Sequence, residues 1–170
     1  MKKNRVLSES LEDYLEVILE LEQTNKVARA KDIAEILGVQ RGSVTGALKS
    51  LAEKGLINYA PYSFITLTTK GNKIAKEIAW RHNVLKDFLF KVLQIDEEKA
   101  ESIACRMEHA IDKATIDRLV CFIDYLYKCP RTGEDWIKSF VNYCASGDRD
   151  QEKCDQCIDT CKAIYQRDKR

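Results

Sequence analysis

The chain has 170 residues, 45% of them hydrophobic, enough for a packed core and too many for a globally disordered polymer. Its formal net charge is only +1, and residues 1–75 (11 Lys and Arg, 9 Asp and Glu) differ little from the remainder (17 and 18). Any nucleic-acid contact must therefore come from local placement of charge, not bulk charge. Behind Met1-Lys2-Lys3 there is no apolar segment of leader length, and no stretch approaches the ~18 apolar residues of a membrane span. A cytoplasmic protein without membrane contact is the expectation.

Leu11, Tyr14, Leu15, Ile18 and Leu19 recur at helical spacing, with Ser8 or Ser10 as the starting cap. A turn at 24–26 leads to a short helix, 30–37, with Ile33, Ala34 and Leu37 inward, ended by Gly38. Gln40-Arg41-Gly42-Ser43 opens a second helix running to about 54, with Val44, Ala47, Leu48 and Leu51 apolar and Gly55 as its stop. Residues 56–59 and 64–68 are rich in β-branched and aromatic residues and predict a hairpin around Pro61-Tyr62-Ser63. Helical spacing then returns as one long helix, 70–93, followed by helices at 96–111 and 114–127. Cys129-Pro130 breaks the chain before a helix at 134–144. A polar loop at 145–153 precedes a last helix starting near Cys154. The fold class is mainly α: a winged helix-turn-helix (1–72), a helical domain (73–143) and a Cys-rich helical tail (144–170).

Two short helices joined at Gly38-Val39 and followed by a hairpin give the order of a winged helix-turn-helix. Its second helix suits a DNA major groove, whose width admits one α-helix. The small polar opening of that helix lets backbone N–H groups approach a phosphate. Arg41 could read a guanine edge or hold a phosphate, Ser43 and Thr45 could donate to phosphates or bases, and Lys49 could lie along the backbone. With Gln40 and Gly42 at the helix start, Arg29 and Lys31 before it, and Tyr62 and Ser63 on the wing, these form the candidate DNA surface.

Cys105, Glu108 and His109 fall at i, i+3 and i+4 of one helix, so one face offers a thiolate, a carboxylate and an imidazole. That mixture suits Fe, Co, Ni or Zn better than Mg or Ca. His82 is the only other histidine, and Asp13 and Glu16 share a face of the first helix. Each residue also has a purely structural reading. Asp13 could complete a capping box with Ser10, Cys105 could be a small core residue, and the histidines could be buried and hydrogen-bonded.

The segments Ser10-Leu-Glu-Asp-Tyr-Leu-Glu16, Ala30-Lys-Asp-Ile-Ala-Glu-Ile-Leu-Gly-Val39, Ser43-Val-Thr45, Leu51-Ala-Glu-Lys-Gly-Leu56, Leu67-Thr-Thr-Lys-Gly71, Trp80-Arg-His82 and Cys105-Arg-Met-Glu-His109 resemble, in order, the family of the diphtheria toxin repressor and the manganese transport regulator. The resemblance covers about residues 8–128. It implies a homodimer that binds operator DNA when a divalent metal is bound, with a helical dimerisation domain after the winged helix. By position it implies Asp13, Glu16, His82, Cys105, Glu108 and His109 as metal ligands, as in manganese-type members. Those members carry a carboxylate at Cys105, where iron-type members carry cysteine, whereas Asp13 stands where iron-type members usually have methionine. The donor set is therefore mixed, and the softer thiolate favours Fe(II) over Mn(II). Iron-type members add a second metal through a carboxylate four residues after His82. Here that position is Lys86, which is expected to pair with Glu101 and replace the second metal. A metal held by ligands from both domains would fix the spacing of the two recognition helices in a dimer.

Seven cysteines are many for this length, and in a reducing compartment they read as thiols or metal ligands. Cys144, Cys154, Cys157 and Cys161 (C-x9-C-x2-C-x3-C) could hold a structural zinc or an Fe–S cluster. A metal-independent winged-helix regulator whose tail senses redox or iron–sulfur status is the alternative. An enzyme using Cys105 and His109 is disfavoured, because no phosphate loop or catalytic-triad spacing accompanies them.

Overall fold

A computed structural model describes residues 7–25, 27–60, 63–129, 134–147 and 151–167, leaving aside a few side chains in the last helix. It divides into two compact units, 1–82 and 83–170. The boundary falls inside a helix, ten residues beyond the one expected from sequence.

In the first unit, α1 (Glu9–Asn25) starts at Ser8, whose Oγ accepts from Leu11 N at 3.4 Å, so Ser10 lies inside the first turn and caps nothing. Tyr14, Leu15, Ile18 and Leu21 turn one face inward. α2 (Ala30–Ile36) ends at Gly38, which has φ +64°, and Val39 N returns to Ala34 O at 3.1 Å in a Schellman closure. The tight left-handed stop allows α3 (Arg41–Glu53) to start after two intervening residues. Val44, Leu48 and Leu51 of α3, all fully buried, share a core with Ile33 of α2 and with Leu15 and Ile18 of α1.

The strands of the wing are shorter than the sequence predicts. β1 (Ile57–Asn58) and β2 (Thr66–Leu67) pair antiparallel, Ile57 against Leu67 and Asn58 against Thr66. Ile65, just before β2, pairs instead with Ala28. Both are completely buried, so a third segment closes the small sheet and takes a residue the hairpin would have used.

α4 (Thr69–Asp87) does not continue as α-helix to residue 93. Residues Phe88–Val92 form a π-helical turn, with Leu93 N reaching Phe88 O at 3.1 Å, and Gln94 adopts φ +54°. Leu89 and Val92 are buried, and Leu89 joins Leu85, Ala100, Ala104 and Ile116 in the core of the second unit. Asp96 caps α5 (Glu97–Glu108) by accepting from Lys99 N, and Asp112 caps α6 (Lys113–Lys128) by accepting from Thr115 N. α7 (Glu134–Ser146) stacks Trp136 on Phe140, and α8 (Gln151–Arg167) begins three residues before Cys154, shortening the expected loop. Among the described residues no helix is long and apolar enough to cross a membrane.

Candidate metal centre and nucleic-acid interface

α3 presents Arg41, Gly42, Ser43, Thr45 and Lys49 to solvent, with Gln40 exposed as its N-cap, while Val44, Leu48 and Leu51 anchor the opposite side. The amphipathic division is what a groove-reading helix requires: an apolar stripe fixes its orientation and a polar face stays available. The Thr45 hydroxyl donates to Arg41 O at 3.1 Å, so its proton is used within the helix and its lone pairs face outward as acceptors. Arg29, Lys31 and Ser63 are also exposed, and the Ser63 hydroxyl donates to Ala60 O at 2.8 Å across the wing turn. Tyr62 lies outside the described residues.

One residue with no sequence signal supports the wing. Glu22, near the end of α1, accepts from Leu67 N at 2.9 Å, forty-five positions away. This carboxylate ties β2 to the helix that carries Asp13 and Glu16. No local pattern marks such a bond, because its partner is a backbone amide fixed only by the fold.

The first unit contributes three of the expected ligands. Asp13 and Glu16 are half-buried on α1, one turn apart, and His82 is half-buried on α4. A Glu16 carboxylate oxygen and a His82 ring nitrogen lie within 4.8 Å of each other. Beside them the Tyr14 phenol is pushed above its ordinary pKa, first by burial and then by the Asp13 charge.

The second unit contributes the other three, which differ in burial. Glu108, the last residue of α5, is completely buried, and its Oε1 lies 3.5 Å from Nε2 of His109, which caps the helix and is 9% exposed. Cys105, one turn earlier, is exposed. Carboxylate and imidazole donors set in buried ground are a donor set that fits a divalent first-row metal. Burial of a carboxylate is costly without a compensating positive group.

Lys86 pairs with Glu101, the part of the expectation that concerns its partner. Its Nζ lies 2.9 Å from Glu101 Oε2 and 3.3 Å from Glu97 Oε1. Hydrogen bonds donated to Glu101 and then to Glu97 raise its pKa above the ordinary value of 10.5. Cys144 is exposed and Cys154 half-buried, while the side chains of Cys157 and Cys161 lie outside the described residues.

A helix-turn-helix with a small wing and an exposed polar second helix, followed by a helical unit that buries a carboxylate beside an imidazole, is the architecture of a winged-helix DNA-binding protein with a second helical domain. Residues 6–65 match the family model "Iron dependent repressor, N-terminal DNA binding domain", and residues 68–137 match "Iron dependent repressor, metal binding and dimerisation domain". The chain belongs to the iron-dependent repressor family, that of the diphtheria toxin repressor and the manganese transport regulator. Members of this family are DNA-binding regulators, not enzymes. An uncharacterized HTH-type transcriptional regulator of Methanocaldococcus jannaschii is 38% identical over 119 residues, 69% of this chain and 95% of that one. The HTH-type transcriptional regulator MntR of Bacillus subtilis is 37% identical over 116 residues, 68% of this chain and 81% of that one. Among solved structures, that of the manganese regulator SloR is 28% identical with a TM-score of 0.61, over 71% of this chain and 56% of that one. The chain thus spans a little over half the length of SloR.

Proposed function

We propose that this protein represses its target genes as a homodimer on operator DNA, activated by Fe(II) or Mn(II). The observation that carries the proposal is the buried Glu108–His109 pair, 3.5 Å apart, in the segment matching a metal-binding domain. Glu16 and His82, within 4.8 Å of each other in the first unit, support it with a second carboxylate–imidazole pair.

In this reading Asp13, Glu16, His82, Cys105, Glu108 and His109 are metal ligands. The ion supplies positive charge that a buried carboxylate needs. Glu108 and His109 offer donors already withdrawn from water, so little reorganisation opposes binding. Asp13 and Glu16 stand on α1, whose far end holds the wing through Glu22. Loading of the α1 carboxylates thereby bears on the element that carries β2. Arg41, Ser43, Thr45 and Lys49, with Gln40 and Gly42 at the helix start and Arg29, Lys31 and Ser63 beside them, contact the duplex, and Tyr62 is a further contact expected from the sequence. Phe122 and Tyr125 of α6, both exposed, offer apolar surface for a second copy. Operator DNA must then tighten metal binding by the factor by which metal tightens operator binding.

The mixed donor set leans toward Fe(II), because the Cys105 thiolate is softer than a carboxylate. The test is anaerobic titration of a duplex, selected from a random-sequence library by the metal-loaded protein, against Fe(II), Mn(II), Co(II) and Zn(II). Fe(II) and Mn(II) are expected to be most effective. Equal binding by metal-free protein overturns the reading in favour of a metal-independent regulator.

A further inference from the structure

Ala28 and Ile65 form an antiparallel bridge, with Ile65 N donating to Ala28 O at 2.9 Å and Ala28 N to Ile65 O at 3.3 Å. Antiparallel register puts the next residue of one segment opposite the preceding residue of the other, so Arg29 faces Phe64. Side chains alternate along extended backbone, and Arg29 is extended at φ −123°, ψ 145°. Because Ala28 and Ile65 point into the core, Arg29 and Phe64 must point outward together. They do: the Arg29 guanidinium carbon sits 5.2 Å from the centre of the Phe64 ring, and Phe64 is 54% exposed.

The pair lies at the base of the wing and immediately before α2. The contact is a cation–π one, in which the ring's face meets the guanidinium charge and accepts no hydrogen bond in the way a phosphate oxygen does. An isolated surface arginine must give up its rotamer freedom when it contacts DNA. One already laid on a ring has given up part of it.

We infer that Phe64 is a positioning residue for DNA binding: its ring holds Arg29 so that the guanidinium clamps a phosphate of the bound duplex. The inference rests on the proposal that Arg29 contacts DNA. It adds that an apolar side chain on the wing, with no hydrogen-bonding group of its own, sets the strength of that contact.

The experiment measures binding of the metal-loaded full chain to the library-selected duplex over a range of salt concentrations, for wild type, Arg29→Ala, Phe64→Leu, Phe64→Tyr and the Arg29→Ala/Phe64→Leu double variant. Melting temperatures confirm that each variant is folded. Arg29→Ala is expected to flatten the slope of log K against log salt by about 0.9 per protomer, the loss of one phosphate contact. Phe64→Leu is expected to weaken binding about 2–5-fold, and Phe64→Tyr, which keeps the ring face, to restore it. In the Arg29→Ala background Phe64→Leu should add nothing, since the pair acts as one unit. Equal losses from Phe64→Leu with and without Arg29 would make Phe64 an independent contact and overturn the inference. So would wild-type affinity in Phe64→Leu, or an unchanged salt slope in Arg29→Ala. These failures leave metal-dependent DNA binding standing, whereas absence of duplex binding by the loaded wild type removes both readings.

Discussion

Replacing Gly71 by alanine places a methyl group where the backbone has left no room for one. A Cβ on Gly71 would meet Leu56 O at 1.9 Å, its carbonyl carbon at 2.8 Å and its Cα at 3.3 Å. Contacts of this kind do not fall below 3.0 Å, so the Leu56 carbonyl must retreat by about 1 Å. It has nowhere easy to go. Leu56 is 1% exposed and leads directly into β1, and its carbonyl accepts from Thr68 N at 3.0 Å. The hydroxyl of Thr68 bonds Gly55 O at 2.9 Å and accepts from Gly71 N at 3.1 Å, so the start of α4 and the end of α3 are laced together at this point. Overpacking of a rigid site costs about 1–3 kcal/mol. Loss of the Leu56 hydrogen bond adds about 1 kcal/mol. A total of about 2–4 kcal/mol lowers the melting temperature by on the order of 10 °C. Gly46→Ala in α3 is the control: a Cβ there meets nothing within 4 Å, and alanine should stabilise the helix by roughly 0.5–1 kcal/mol. Scanning calorimetry of the metal-free protein reads both. If Gly71→Ala melts with wild type, the close approach of α4 to Leu56 is wrong.

Glu108→Ala and His109→Ala are each expected to fold but to lose metal-dependent duplex binding. They should also lose the thermal stabilisation that metal gives wild type, about 2.7 kcal/mol at a hundredfold excess over Kd. A variant that still answers metal removes that residue from the ligand set. Lys86→Glu replaces the ammonium held by Glu101 and Glu97 with a third carboxylate, and isothermal titration should then find a second metal per protomer. Unchanged stoichiometry sinks the idea that Lys86 stands in for a metal. Because its folded pKa is raised, the contribution of Lys86 is complete below the unfolded value near 10.5 and is lost as pH rises through the higher folded value. Only the wild type, not Lys86→Gln, should show this alkaline loss in a pH–melting profile. The spacing of Cys144, Cys154, Cys157 and Cys161 admits a zinc or Fe–S site in the tail, with plain thiols as the other reading. On the first reading, protein purified without oxygen should carry stoichiometric zinc, or iron with sulfide and visible absorption, and should lose it on Cys154→Ser. Protein with neither leaves the tail as plain thiols.

Much of this protein was legible in its sequence because the signals are local. Gly38 stops α2, apolar spacing defines the inner faces of α1 and α3, and Asp96 and Asp112 cap their helices; each depends on residues within a few positions. The candidate ligands were also visible, since Asp13 with Glu16 and Glu108 with His109 are neighbours along the chain. Even the Lys86–Glu101 pair could be anticipated from the charge that replaces a carboxylate. Helical spacing could not say how the face carrying Cys105, Glu108 and His109 would be covered. Packing buries Glu108 and His109 and leaves Cys105 exposed. Nor could it foresee the π-helical turn at Phe88–Val92, because Leu85, Leu89 and Val92 keep the i, i+4, i+7 spacing of an ordinary α-helix. The bond from Leu67 N to Glu22, the bridge from Ile65 to Ala28 and the stack of Arg29 on Phe64 all join segments far apart in sequence. A sequence by itself determines which backbone segments can be helical and which faces are apolar, because those depend on neighbours along the chain. Only the tertiary structure decides which distant group meets a given carboxylate, amide or ring, because that partner exists only once the core has closed.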